Sequence, residues 1–352
     1  MRRNLVENRL MTPDLLKGVA VVLMVQVHLM ELFATEVVRT SLAGKISLFL
    51  GGPPAAPLFM AVMGYFVARS SKGIKHKLLQ GLKLIVWGFM LNLGLNAHLL
   101  LKIWRGVYSL DPLPYIFGVD ILFLAGISVI LLALLGVVFG DRWMLWMIPL
   151  LAFGFANPYL PVYAGNSAWI TYLQAYFWGY FHWAYFPVFP WAAYPVAGYV
   201  FYLLLQAAKA EPPAQHWLWA VTGLLFVLLA ATFAYGFSRS TILLVYYHHN
   251  GVFMLWTLAF LLFILLLVYQ AEKHHINNPL TAKLAWVGRH VTAFYVFQWL
   301  IIGNVATAIY QSQSWIMLAL WFVVVMGVCS LLVWAWLWVK PRLISRRLEK
   351  PN

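Results

Sequence analysis

Charge is scarce in this chain. Only 10% of its 352 residues are Asp, Glu, Lys or Arg, where a soluble domain carries about 25%. Acids are the rarer sign, 10 against 24 Lys and Arg. Cysteine is scarcer still. Cys329 stands alone, which excludes disulfides within the chain, cysteine-rich metal sites and iron–sulfur clusters. From Trp143 to Ala208 there is no charged residue at all. Nor is there a visible internal repeat, a low-complexity tract or a hydrophilic domain.

What fills the chain is apolar. Hydrophobic residues make up 63% of it and the mean hydropathy is +0.81. Apolar runs long enough to cross a bilayer, about 20 residues, recur along it. Their lengths predict ten spans, near 14–36, 46–69, 77–101, 115–139, 142–160, 185–208, 214–236, 246–270, 289–310 and 314–340. Lipid offers no partner to an unpaired backbone group, so the spans are expected as helices. The fold class is therefore all-α, a polytopic membrane bundle of about ten helices forming one integral-membrane domain over 1–352. Eighteen Trp, eighteen Tyr and twenty-four Phe suit aromatic belts and a bundle interior.

The formal net charge of +14 does not point to nucleic acid. The cations sit in short segments between apolar runs, the positive-inside pattern. These segments are Arg2, Arg3 and Arg9; Arg69, Lys72, Lys75, Lys77 and Lys83; Lys273, Lys283 and Arg289; and Lys340, Arg342, Arg346, Arg347 and Lys350. Ten spans place all four on one side, with both termini cytoplasmic. The basic start reads as leading into a retained helix and not a removed signal peptide. The uncharged stretch 157–185 then lies outside. Its sequence "SAWITYLQAYFWGYFHWAYFP" reads as an interfacial aromatic hairpin, or else as a lid or acceptor platform lining a cavity.

The first run, "DLLKGVAVVLMVQVHLMELF", carries ionisable groups it could have avoided. At about 100° per residue, Asp14, Lys17, His28, Glu31 and Thr35 share one arc of the helix. Such a stripe faces a bundle interior or a water-filled cavity, because charge in hydrocarbon is costly. Asp14 also suits a helix N-terminus, and Lys17 can snorkel to headgroups. His28 lies about 20 Å along the helix from Asp14, and Glu31 is one turn further. A carboxylate three residues on can orient an imidazole and raise its basicity. Asp120, in "YIFGVDILFLAG", is placed at the depth of His28 or Glu31. It serves either as a structural anchor or as a catalytic partner. His248–His249 and His274–His275 resemble metal ligands only superficially, since helical neighbours diverge by about 100°, and no metal site is expected. The basic segment 69–83 reads as topology signal and anionic-lipid contact, or as a landing site for a phosphate-rich donor. Arg289 opens a late span, where a helix N-terminus suits phosphate. Gln298 is an unusual polar group deeper in that span.

Four stretches together resemble the transmembrane acyltransferase superfamily, which includes acyltransferase family 3 and relatives of heparan-alpha-glucosaminide N-acetyltransferase. They are "DLLKGVAVVLMVQVHLMELF", "APLFMAVMGYFVARS", "FPVFPWAAYPVAGYVF" and "WVGRHVTAFYVFQWLI". Lys17 stands where that family usually has Arg, which replaces a bidentate fork with a point charge. The resemblance implies an acyl-CoA donor, acetyl-CoA in the first instance, bound from the cytoplasm. The acyl group passes to a hydroxyl or amine of a sugar, glycan or lipid-linked acceptor on the outer side. It implies His28, Glu31, Asp120 and Asp14 as catalytic, and Lys17, Arg69, Lys72, Lys75 and Arg289 as donor-binding. Trp191 and Gln298 are implied on the acceptor. Membrane lipids are the other expected partner, and nucleic acid is not one. The short loops suit a bacterial cytoplasmic membrane. The competing reading of the same residues is a proton-coupled small-molecule transporter with His28 and Glu31 as the relay. A transporter commonly shows two matched halves, which this sequence lacks. A structural or lipid-sensing membrane protein, using the stripe only for packing, is a third.

Overall fold

The computed structural model describes residues 12–208, 215–273 and 278–348. Arg2, Arg3, Arg9, His274, His275 and Lys350 lie outside them. Among the described residues the fold is all helix and loop, with two isolated bridges and no extended strand. The principal helices are α1 Thr12–Leu32, α2 Leu42–Gly51, α3 Ala56–Arg69, α4 Ile74–Leu95, α5 Ile121–Phe139 and α6 Met147–Phe155. They continue as α7 Ala193–Ala207, α8 Gln215–Ala231, α9 Phe233–Ser240, α10 Gly251–Lys273, α11 Pro279–Arg289, α12 Val291–Ile309 and α13 Trp315–Leu348.

Among the described residues, eight helical segments are long and apolar enough to cross a membrane, with α2 and α3 forming one of them. The pair α8–α9, bent by 65°, is long and apolar enough only when its two helices are taken together. Among the described residues, no helix of that length covers 142–160. There the chain makes turns and then only the nine-residue α6. Pro149 and Gly154 fall inside that helix, and Asn157–Tyr159 follows as a 3-10 turn. A run of apolar residues gives the length of a span, but not the local breakers that shorten it. The exterior is correspondingly oily. Val137, Val138, Leu331 and Trp334 are each more than half exposed, the outward apolar face that a lipid solvent permits.

Helix α1 sits at the centre, packed on α2, α3, α10, α11, α12 and α13. Its crossing with α11 depends on glycine. A methyl group at Gly288 would fall 1.8 Å from the Asp14 backbone oxygen, and one at Gly18 would fall 1.9 Å from that of Leu284. The small residues let two backbones touch, as membrane helix pairs commonly do. The chain then turns into α12, which runs parallel to α1. The amides of Gln311 and Gln313 donate to the carbonyls of Leu32 and Phe33 at 2.9 and 2.8 Å, so the two helices end side by side. α13 runs back, with Trp321 edge-on to Phe33 at 5.5 Å between ring centroids. The described ends of the chain therefore share one end of the bundle.

Candidate active site

The two ends of α1 face different surroundings. At its start, Asp14 is buried and its carboxylate pairs with the Lys17 ammonium at 2.8 Å. That ammonium also lies 5.6 Å from the centroid of the Phe66 ring on α3. Arg69 ends α3 one turn beyond Phe66, and Lys72 and Lys75 follow it. Arg289 ends α11, next to the Gly288 that touches Asp14. Arg69, Lys72, Lys75 and Arg289 are exposed, and none pairs with a described acid. They form the cationic end.

The other end of α1 opens into a cavity of about 750 Å³. His28 and Glu31, from its last two turns, both line it, as does Asp120. Thr35, expected on the same stripe, lies beyond the end of α1. Its hydroxyl caps the next short helix by accepting from the Val38 amide.

Asp120 reaches the cavity because it caps α5. Its Oδ1 accepts the Ile121 amide at 2.7 Å, a carboxylate at a helix N-terminus. Its Oδ2 accepts the Tyr295 hydroxyl of α12. Asn92 of α4 anchors the preceding loop, donating to the carbonyls of Ile116 and Gly118 at 3.0 and 2.8 Å. The Val119 amide donates to the Trp183 carbonyl at 2.8 Å, and this bridge draws the aromatic loop over the cavity. His182, Trp183, Tyr185 and Phe186 thereby become lining residues, while Trp169 on the far part of that loop stays exposed.

Glu31 accepts the Tyr247 hydroxyl at 3.3 Å on each carboxylate oxygen. Tyr247 is itself held from behind, its carbonyl accepting Nε1 of the fully buried Trp191 at 2.7 Å. The His28 ring lies on Trp299 of α12, with centroids 4.0 Å apart and planes at 33°. Gln298 is also fully buried, and its amide has no hydrogen-bonding partner. Nδ1 of His28 is likewise buried and unpartnered.

The structure thus brings His28, Glu31 and Asp120 to one cavity and places Asp14, Lys17, Arg69, Lys72, Lys75 and Arg289 at the opposite end of α1. Trp191 and Gln298 stand behind the lining and not in it. His248 and His249 have other work. His249 lies between the Tyr194 hydroxyl at 2.8 Å and the Tyr246 carbonyl at 2.7 Å, and His248 meets the Phe181 carbonyl at 3.2 Å.

Tyr247, Tyr295 and Trp299 were not anticipated. Tyr295 and Trp299 stand four apart on α12, hence on one face, beside the polar Gln298 that the sequence did flag. Tyr247 carries no local signal that separates it from the other tyrosines.

No curated protein matches the chain, and no solved structure does either. The family model of the acyltransferase domain, acyltransferase family 3, matches residues 12–339. That range runs from the first residue of α1 into α13 and includes both ends just described, so the chain belongs to acyltransferase family 3 and is a membrane acyltransferase.

Proposed function

We propose that the protein transfers an acyl group, acetyl in the first instance, from acyl-CoA at the cationic end to a hydroxyl or amine of a glycosyl acceptor in the cavity. One observation carries the reading. His28, Glu31 and Asp120 converge on a single cavity, while four exposed cations without described acid partners gather at the other end of α1. The positive-inside pattern makes the cationic end cytoplasmic and the cavity outer.

At the cationic end, Arg69, Lys72, Lys75 and Arg289 would hold the phosphates of CoA by charge-assisted hydrogen bonds. Lys17, already paired with Asp14, would line the path of the pantetheine arm. In the cavity, His28 takes the proton from the acceptor as its oxygen or nitrogen attacks the thioester carbonyl carbon. The new C–O or C–N bond forms, the C–S bond breaks, and the thiolate leaves with the proton that His28 returns. Glu31, one turn from His28 and held by Tyr247, and Asp120, held by Tyr295, balance the imidazolium and orient the acceptor. A positioned general base supplies about 10²–10⁴-fold, and holding the acceptor against the acyl carbon supplies more.

Acyl transfer from labelled acetyl-CoA in proteoliposomes, with wild type and His28→Ala at matched folding, tests this reading. Loss of transfer in His28→Ala is the expected result. Full transfer in a folded His28→Ala protein would overturn the assignment.

A further inference from the structure

The cavity departs from the rest of the molecule in charge. The chain carries 24 Lys and Arg against 10 acids, yet among the described residues the 36 that line the cavity include three acids, Glu31, Asp111 and Asp120, and not one Lys or Arg. Arg39, the cation close enough to act on Glu31, does not line it. The remaining polar groups of the wall are amides, hydroxyls, phenols and the two imidazoles of His28 and His182. An anion entering here gives up water without a fixed positive partner, which is costly. Protonating the carboxyls would not change this, because a neutral carboxyl supplies no cation either.

Aromatic rings supply the rest. Seven tyrosines line the cavity, together with Trp183, Trp299 and Phe186. Tyr108, Tyr185 and Tyr310 remain partly open, at 39%, 45% and 60% exposure. Tyr185 meets Tyr247 edge-on at 5.1 Å between centroids, so the ring at the mouth continues to the phenol that holds Glu31. An apolar wall with a few convergent polar groups is the ordinary make-up of a small-molecule site. Ring faces for the C–H side of a sugar, with carboxylates and amides for its hydroxyls, suit a pyranose.

We infer that the acceptor is an uncharged or amine-bearing glycosyl unit, and that the cavity rejects acidic sugars such as uronates. The inference rests on the proposed reading of the cavity as the acceptor site. Selection arises from the missing cation, in the manner of specificity built against a competitor.

The test compares glucosides, glucosaminides and glucuronides of matched shape. Each is offered as its methyl and its octyl glycoside to the full-length protein in nanodiscs. Binding is read from tryptophan fluorescence, since Trp183 and Trp299 line the cavity, and transfer is read separately from labelled acetyl-CoA. The glucoside or glucosaminide should bind at least about tenfold more tightly than the glucuronide. Asp111→Lys places a cation at the exposed edge of the cavity and should narrow that gap at least about threefold. Asp111→Asn, which adds no cation, should narrow it less. The octyl arm tells a lipid-linked source from a free glycan, and the charge order should hold in both. Equal or tighter binding of the glucuronide would overturn the inference, as would binding of none of the three. Neutral-selective binding without transfer to any acceptor would keep the charge selectivity of the cavity and sink the acyl-transfer reading, and with it the cavity's role as acceptor site.

Discussion

The two ends of α1 use the same few ionisable residue types for opposite purposes. At the start, the buried Asp14 is neutralised by Lys17 at 2.8 Å, and the surplus cations around the pair are exposed. At the finish, Glu31 and Asp120 have no cation on the cavity wall and are held by the phenols of Tyr247 and Tyr295. An ion pair within α1 neutralises a buried carboxylate beside a helix crossing, whereas a carboxylate held by neutral donors keeps an acceptor face turned to the cavity. A polar stripe on a membrane helix need not be one functional unit. Its two ends can be built for different ligands about 20 Å apart.

The largest expected effect breaks the cavity end. His28→Ala should lower kcat of transfer by about 10²–10⁴-fold while leaving donor binding near wild type, as initial rates and binding isotherms will show. Next comes the crossing that fixes α1. Gly288→Leu must push α11 off the Asp14 backbone, and overpacking of this kind costs about 1–3 kcal/mol or more. A lower Tm in nanodiscs and reduced yield should follow, with both ends affected together. Tyr295→Phe removes the donor to Asp120 Oδ2 and leaves a buried acceptor under-satisfied, a cost of about 1–3 kcal/mol. It should lower activity and Tm, while Asp120→Asn, which keeps an N-capping side chain, should spare Tm more than activity. The smallest effect belongs to the cationic end. Arg289 is exposed, and exposed charges contribute about 1 kcal/mol or less. Arg289→Ala should therefore raise KM for acyl-CoA severalfold, more at low salt than at high, with kcat little changed.

Some of this was legible in the sequence. Helical periodicity alone put His28 and Glu31 on one face, and the order of spans put Asp120 at their depth. Clustering of Lys and Arg separated the cationic segments from the uncharged stretch 157–185. The aromatic loop was open between an interfacial hairpin and a cavity wall. The structure divides it, with His182 to Phe186 in the wall and Trp169 exposed. Hydropathy could not see that 142–160 contains only a nine-residue helix, because length and composition there match a span. Nor could it pick Tyr247, Tyr295 and Trp299 from sixty aromatic residues. Their roles depend on long-range pairing, Tyr247 with Glu31 and Tyr295 with Asp120, which no local spacing encodes. Trp191 stood out by its motif but works one layer back, holding the Tyr247 carbonyl.

The separation of donor and acceptor ends is tested most directly by calorimetric titration of acetyl-CoA into the wild type, Arg289→Ala and His28→Ala proteins in nanodiscs. The account predicts saturable binding that weakens in Arg289→Ala and survives in His28→Ala. Loss of binding in His28→Ala with retention in Arg289→Ala, or no binding by folded wild type, would contradict it.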